Sequence, residues 1–294
     1  FLNATVTSVV SQQKGQTSNI TVEGGAQTSE FEIFADEYEE KKHFFLSQYY
    51  RDNYNKWLKD LPIVSSPINI TKVEVWVTNI GPATQENRNI VALMDVGEYD
   101  PYNNTILPNL TSDAIYPSNR SNNIFDIIDV NSIRDINNVN SYLAGVGFDN
   151  SIDYEKVENA RLLNPTEYSF NSKLGFISLN STLNDDQVLA VAYQYTVLGS
   201  DSVYQVGEFS NGGIASPGCL AVKLLKSTAQ NTQIPLWDLM MKNVYAIGGY
   251  QVNPDDFRLD ILYKSDELGV PAGYLLEGDL KGIPLIRVLN MDNL

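Results

Sequence analysis

Between residues 46 and 79 the apolar period of the chain changes once, and that change constrains the fold more than any other feature. Leu46, Tyr50, Tyr54, Trp57 and Leu61 recur at spacings of three and four residues. At 100° per residue they share one helical face, with Gln48, Asp52, Asn55, Lys56 and Lys59 opposite. Pro62 stops the pattern. In ITKVEVWVTN, residues 70–79, the period becomes two: Val73, Val75 and Val77 alternate with Glu74, Trp76 and Thr78. An amphipathic helix followed by an alternating strand calls for a sheet with a helix packed on one face and water on the other.

The helix reading extends upstream. SEFEIFADEYEEKK carries Ser29 and Glu32 at capping-box spacing, and its acidic turns suit the positive end of a helix dipole. One long helix over residues 31–60 is expected, with room for a break. Within it, HFFLSQYYRDNYNKWL (43–58) holds Phe44, Phe45, Tyr49, Tyr50, Tyr54 and Trp57. A stripe at helical spacing reads as core, and tyrosine also suits a surface closing on another wall. A membrane-surface helix would want basic flanks, and the N-terminal half here is acidic.

Strand signals dominate elsewhere. ATVTSVVSQ and SNITVEG flank QKGQ and read as a hairpin over 4–23. NRNIVALMDVGEY follows ITKVEVWVTN after a turn-like IGPATQE, so those two are expected to pair. Residues 174–180, 187–197 and 202–209 suggest a meander, with LGSD as a tight turn. CLAVKLLKS, FRLDILYKS and IPLIRVLNM read as further strands. IPLWDLMMKNVYAIGG reads as a short helix between Pro235 and Gly248. Residues 99–142 are dense in Asn, Pro and Ser and read as a long excursion with short local elements, a candidate for partner contact. The fold class is therefore α+β: β-rich and mostly antiparallel, with one long aromatic amphipathic helix and one short helix. A single module over 1–294 is expected. Its parts are a hairpin plus helix (1–62), a sheet with the excursion (63–210) and a strand–helix–strand closing segment (211–294).

Chemistry is mostly absent from the sequence. His43 is the only histidine and Cys219 the only cysteine. A Ser-His or Cys-His site would have to use His43, and no nucleophile motif accompanies it. One His and one Cys are too few for zinc. LNDDQ (183–187) and NPDDF (253–257) read as turns or caps, because the EF-hand spacing is missing. No catalytic, cofactor-binding or metal-binding residue is assigned, and no cofactor is expected. Tyr50, Tyr54, Trp57, Trp76 and Trp237 are the candidate structural or interaction residues. The net charge of −16 argues against a nucleic-acid partner. Seven N-x-[ST] sequons are a weak excess in a chain with 30 asparagines, and glycosylation is not inferred. A lone cysteine fits a cytosolic protein or a Gram-negative exported one. FLNATV reads as the start of a mature chain or of an excised piece.

Ordered strings carry more than composition does. FFLSQYYRDNYNKWLKDLPIVSSPINITKVEVWVTN and NIVALMDVGE resemble the SprA/Sov family of Bacteroidota. So do LNDDQVLAVAYQYT, YQVGEFS, AVKLLKS, PLWDLMMKNVY and FRLDILY, in that order. The resemblance implies part of a giant outer-membrane β-barrel, the translocon of the type IX secretion system, needed for gliding motility. It is most like the family's N-terminal repeated domain. The implied partners are the rest of the barrel, a PorV-like shuttle barrel, a plug protein and secreted cargo. It supplies no catalytic residue. The expected location is the outer membrane, facing the periplasm or within the barrel. Only residues 187–197 and 72–79 approach the nine to eleven alternating residues of a membrane strand, so a water-facing domain is expected. The alternative is a secreted β-sandwich holding a glycan or peptide on exposed rings.

Overall fold

The computed structural model describes residues 19–23, 26–81, 86–107, 116–248, 253, 257–264, 269–289 and 291. Two compact units divide the chain. One combines the segments before residue 39 and after residue 244; the other is Glu39–Val244. In the first, β1 (Asn19–Glu23) pairs antiparallel with β2 (Ala26–Glu30). SNITVEG thus pairs forward, and its expected upstream partner lies outside the described residues. Ser29 is inside β2, so the expected capping box does not form.

The expected long helix is replaced by two elements of the larger unit. His43–Phe45 is a strand, β3, and only Gln48–Trp57 is helical, α1. All three residues of β3 are buried. A helix there would bury one face, whereas a strand between two layers buries both. Ser47, with an extended backbone, marks the helix start. The stripe ends at Trp57, and Leu61 is exposed.

The remaining elements of this unit are β4 (Ile68–Val77), β5 (Asn87–Leu93), α2 (Ile124–Ile127), a 3-10 turn (Val130–Ile133), α3 (Val139–Val146), β6 (Tyr154–Leu162), β7 (Tyr168–Asn171), β8 (Phe176–Leu179), β9 (Leu189–Val197), β10 (Val203–Val206), β11 (Leu220–Lys226) and a second 3-10 turn (Pro235–Leu239). The order β10-β9-β11-β5-β6-β4 closes because β4 also pairs with β9. Five strands, β4-β6-β5-β11-β9, therefore form a ring, with β10 hung on β9. Only β11–β5 is parallel. The expected β4–β5 hairpin does not form, since β6 lies between them. The β9–β10 hairpin forms as expected, but β8 joins β3 and β7 in a separate three-stranded sheet. The expected helix over residues 234–249 is only the five-residue turn beginning at Pro235.

Register identifies the inside of the ring. Trp76 faces Ala190, Glu74 faces Ala192, Leu220 faces Ile90, Val222 faces Ala92 and Ile90 faces Val157. The opposite face carries Val73, Val75, Tyr193 and Tyr195, and α1 packs there through Tyr50. A helix cannot fit within five strands, so the Trp76 face is interior, and its alanines suit a narrow barrel. The expected wet face at Glu74 and Trp76 is thus overturned. Trp76 is fully buried, and the Glu74 carboxylate accepts from Ser210 N at 2.8 Å and Oγ at 3.2 Å. Arg88 donates to the carbonyls of Ser210, Ile214 and Gly218 beside it, closing that end. Glu155 accepts from Ser227 and Thr228.

The described part of the Asn-rich excursion is packed rather than loose. Leu107, Ile128, Ile133 and Val139 are completely buried. Arg134 forks onto both oxygens of Glu208 at 2.6 Å and also donates to the carbonyl of Cys219.

In the smaller unit, β12 (Tyr263–Lys264) pairs with β13 (Pro271–Ala272), and Leu285–Val288 forms a helical turn, α4. Of the two strands expected here, FRLDILYKS keeps two residues as strand and IPLIRVLNM contains the four-residue turn α4 instead. None of this unit's residues with a described side chain is buried, so no packed face fixes an extended pattern.

Candidate functional site

The helix α1 begins above a buried charge. Its first N–H, from Gln48, donates to both carboxylate oxygens of Glu98 at 3.2 Å. Glu98 accepts at 2.6 Å from the ammonium of Lys223, which also donates to the Met94 carbonyl. The two side chains are 5% and 1% exposed, so the pair is shielded from water and salt. Asn122 donates to the carbonyls of Asp95 and Glu98, tying the excursion to the same turn. Burial pushes the Glu98 carboxyl up from its ordinary range. It does the same to Asp95, whose carboxylate accepts the N–H groups of Tyr102 and Asn103.

Above this pair lies an aromatic layer. The Tyr50 ring is completely buried, 6.0 Å from Tyr193 and 6.3 Å from both Tyr195 and Trp57. Tyr54 is half-buried, edge-on to Phe45 and Phe176. Trp57 is only 4% exposed. The structure thus gathers Tyr50, Tyr54 and Trp57 on α1, leaves Trp76 inside the ring, and puts Trp237 half-buried beneath the Lys242 ammonium. Lys223, Glu98, Tyr193 and Tyr195 were missed by the sequence reading. The one available signal was YQY at 193–195, two rings on one face of a strand.

His43 and Cys219, singled out for chemistry, are engaged in packing. Nδ1 of His43 meets Ser178 Oγ at 2.8 Å and Nε2 meets Glu39 at 2.9 Å. Cys219 is buried, and burial pushes its thiol up to about 11, so it stays protonated. Asp185 of LNDDQ binds Lys41, and Gln187 accepts from Asn184 N. Asp255 and Asp256 lie outside the described residues. Among the described residues no three His, Cys, Asp or Glu side chains converge as a metal site.

A protein of secretion and motility is what the comparison with known families returns. The profile that matches, over residues 3–190, is that of the SprA N-terminal region, a motility-related/secretion protein, and the chain belongs to this family. No curated protein matches it. Membership associates the chain with motility, protein secretion and the cell envelope. Among the described residues no helix is long and apolar enough to cross a membrane.

Proposed function

We propose that the chain is a non-catalytic, water-facing part of the outer-membrane translocon of the Bacteroidota type IX secretion system. In that role it acts in protein secretion and gliding motility. It works beside the rest of the translocon barrel, a PorV-like shuttle barrel and a plug protein, and it serves secreted cargo. One observation carries the water-facing part of this reading. At β9 the outer face of the five-strand ring is covered by the chain's own α1, so Tyr193 and Tyr195 meet Tyr50 rather than lipid. Membrane barrels of single chains start at about eight strands and keep that face open to lipid. The engagement of His43 and Cys219 in packing supports a role without chemistry. A β-sandwich with exposed rings is disfavoured, because the main sheet closes on itself and Trp57 and Trp76 are buried.

The test is an in-frame deletion of residues 39–244 from the full-length protein, with the level of the remaining barrel in the outer membrane followed in parallel. Cargo should accumulate inside the cell and colony spreading should stop while the barrel persists. Normal secretion by the deleted protein would sink the proposal. The chain alone should be monodisperse without detergent, and dependence on detergent would refute the water-facing reading.

A further inference from the structure

On its exposed side α1 borders a groove of about 440 Å³, closed opposite by Tyr99 and Tyr116. That volume is within the range of small-ligand sites. We propose that the groove binds carbohydrate, one or a few neutral pyranose rings. The proposal goes beyond the translocon reading and does not depend on it.

The rings come first. Tyr99 is 42% exposed and is the open wall. Tyr116 is braced by Tyr49 at 5.8 Å and by Tyr204 at 5.6 Å, so it is held in place before any ligand arrives. Tyr49 and Trp57 line the groove as well, 5.8 Å apart. Tyr99 is the ring whose face is open to the C–H side of a sugar, while the buried Tyr49 and Trp57 back the groove and keep its wall rigid, which makes the ordering entropy lost on binding small.

Polar capacity comes second. The hydroxyls of Tyr49, Tyr99 and Tyr116 and the Lys56 ammonium make no hydrogen bond to any described residue. Burial pushes Tyr49 up to about 12, so its hydroxyl keeps its proton and can both donate and accept. Asn53 uses its amide N–H on the Tyr49 carbonyl, which leaves its Oδ1 as an acceptor. Asp52 meets Arg51 through Oδ1 at 3.2 Å, leaving Oδ2.

Charge then selects among ligands. Asp52 and Lys56 stand one helical turn apart on the same rim and do not bond each other. A cation is opposed by Lys56 and an anion by Asp52. A purely apolar peptide would strand the tyrosine hydroxyls and the Asn53 oxygen, each a loss on desolvation. A neutral ligand bearing many hydroxyls can use donors and acceptors together.

The experiment is calorimetric titration of the whole chain with maltotriose, cellotriose and mannotriose. Chitosan and galacturonic acid trimers serve as charged probes, and a proline-rich peptide, which has carbonyl acceptors but no N–H at its prolines to give Asn53, as the peptide one. At least one neutral trisaccharide should bind saturably and more tightly than any charged or peptide probe. Tyr99→Ala should weaken it about tenfold, the loss of one stacking contact. Tyr99→Phe should keep most of the affinity. Tyr99 is exposed enough for both variants to fold, which an unchanged urea midpoint checks. Lipopolysaccharide vesicles and a glycoprotein with and without enzymatic deglycosylation then separate envelope lipid from protein-borne sugar as the source. Absence of saturable binding by every neutral probe, tighter binding of a charged or peptide probe, or full affinity in Tyr99→Ala would each overturn the assignment.

Discussion

Replacing Lys223 by methionine isolates the buried pair under α1. Methionine keeps most of the length and removes only the ammonium. Glu98 would then lose its 2.6 Å partner and keep one backbone donor, Gln48 N, shared between its oxygens at 3.2 Å. Stripping one partner from a buried ion pair costs on the order of 3–5 kcal/mol. Replacing both partners by apolar groups removes the stranded charge, so Lys223→Met/Glu98→Met should be more stable than Lys223→Met alone. Urea unfolding of the whole chain, followed by tryptophan fluorescence and far-ultraviolet circular dichroism, measures each variant. The pH dependence adds a second reading. Burial already raises the folded Glu98 carboxyl above its reference value of 4.5, and loss of the lysine raises it further. A carboxyl whose folded value lies above its unfolded one is fully favourable only below the unfolded value, and that contribution is lost as pH rises through the folded one. The deficit of Lys223→Met should therefore shrink as pH falls from about 8 to about 5. A double variant as unstable as the sum of the two single changes, or a deficit independent of pH, would refute the coupling.

Two further outcomes follow from the same packing. Gly175 has φ +68°, and a Cβ there would stand 1.9 Å from Cδ1 of Tyr50, so Gly175→Ala should cost roughly 3 kcal/mol, read as a lower urea midpoint; an unchanged midpoint would mean that the Tyr50 ring has room to move. A fragment of residues 39–190 lacks most of β9 and all of β11 and should show no cooperative unfolding, whereas 39–244 should unfold in one transition; cooperative unfolding of the shorter fragment would show that ring closure is dispensable.

What the sequence disclosed was local. Periodicity found β4, β5, β9 and β11 and placed Tyr50 and Trp57 in the core, because those patterns need only neighbours on the same segment. The class, β-rich α+β with mostly antiparallel pairing, followed from them. The helix over 31–60 failed because HFF at 43–45 is claimed as a strand by Phe176–Ser178, a partner no local window contains. Glu74 failed for a related reason. Its charge signals water, yet Ser210 supplies the donors that let it sit inside the ring. The Glu98–Lys223 pair carried no signal, because a lone Glu after a strand and a lone Lys within another look like surface charges until the register brings them together.

The way the ring closes also bears on how the chain reaches its native state. β4 finds its long partner only when β9 exists, with Val75 opposite Val191, and β5 completes its parallel edge only with β11. β4 and β5 therefore each wait with an unpaired edge while on the order of a hundred later residues are synthesised. Pairings this distant in sequence are slow to form, since the loop must be closed before any contact rewards it. The vulnerable interval for this protein is thus its own assembly, when half-built strands are exposed to their neighbours. A factor that shields those edges would raise the yield of folded chain without altering the stability of the finished ring.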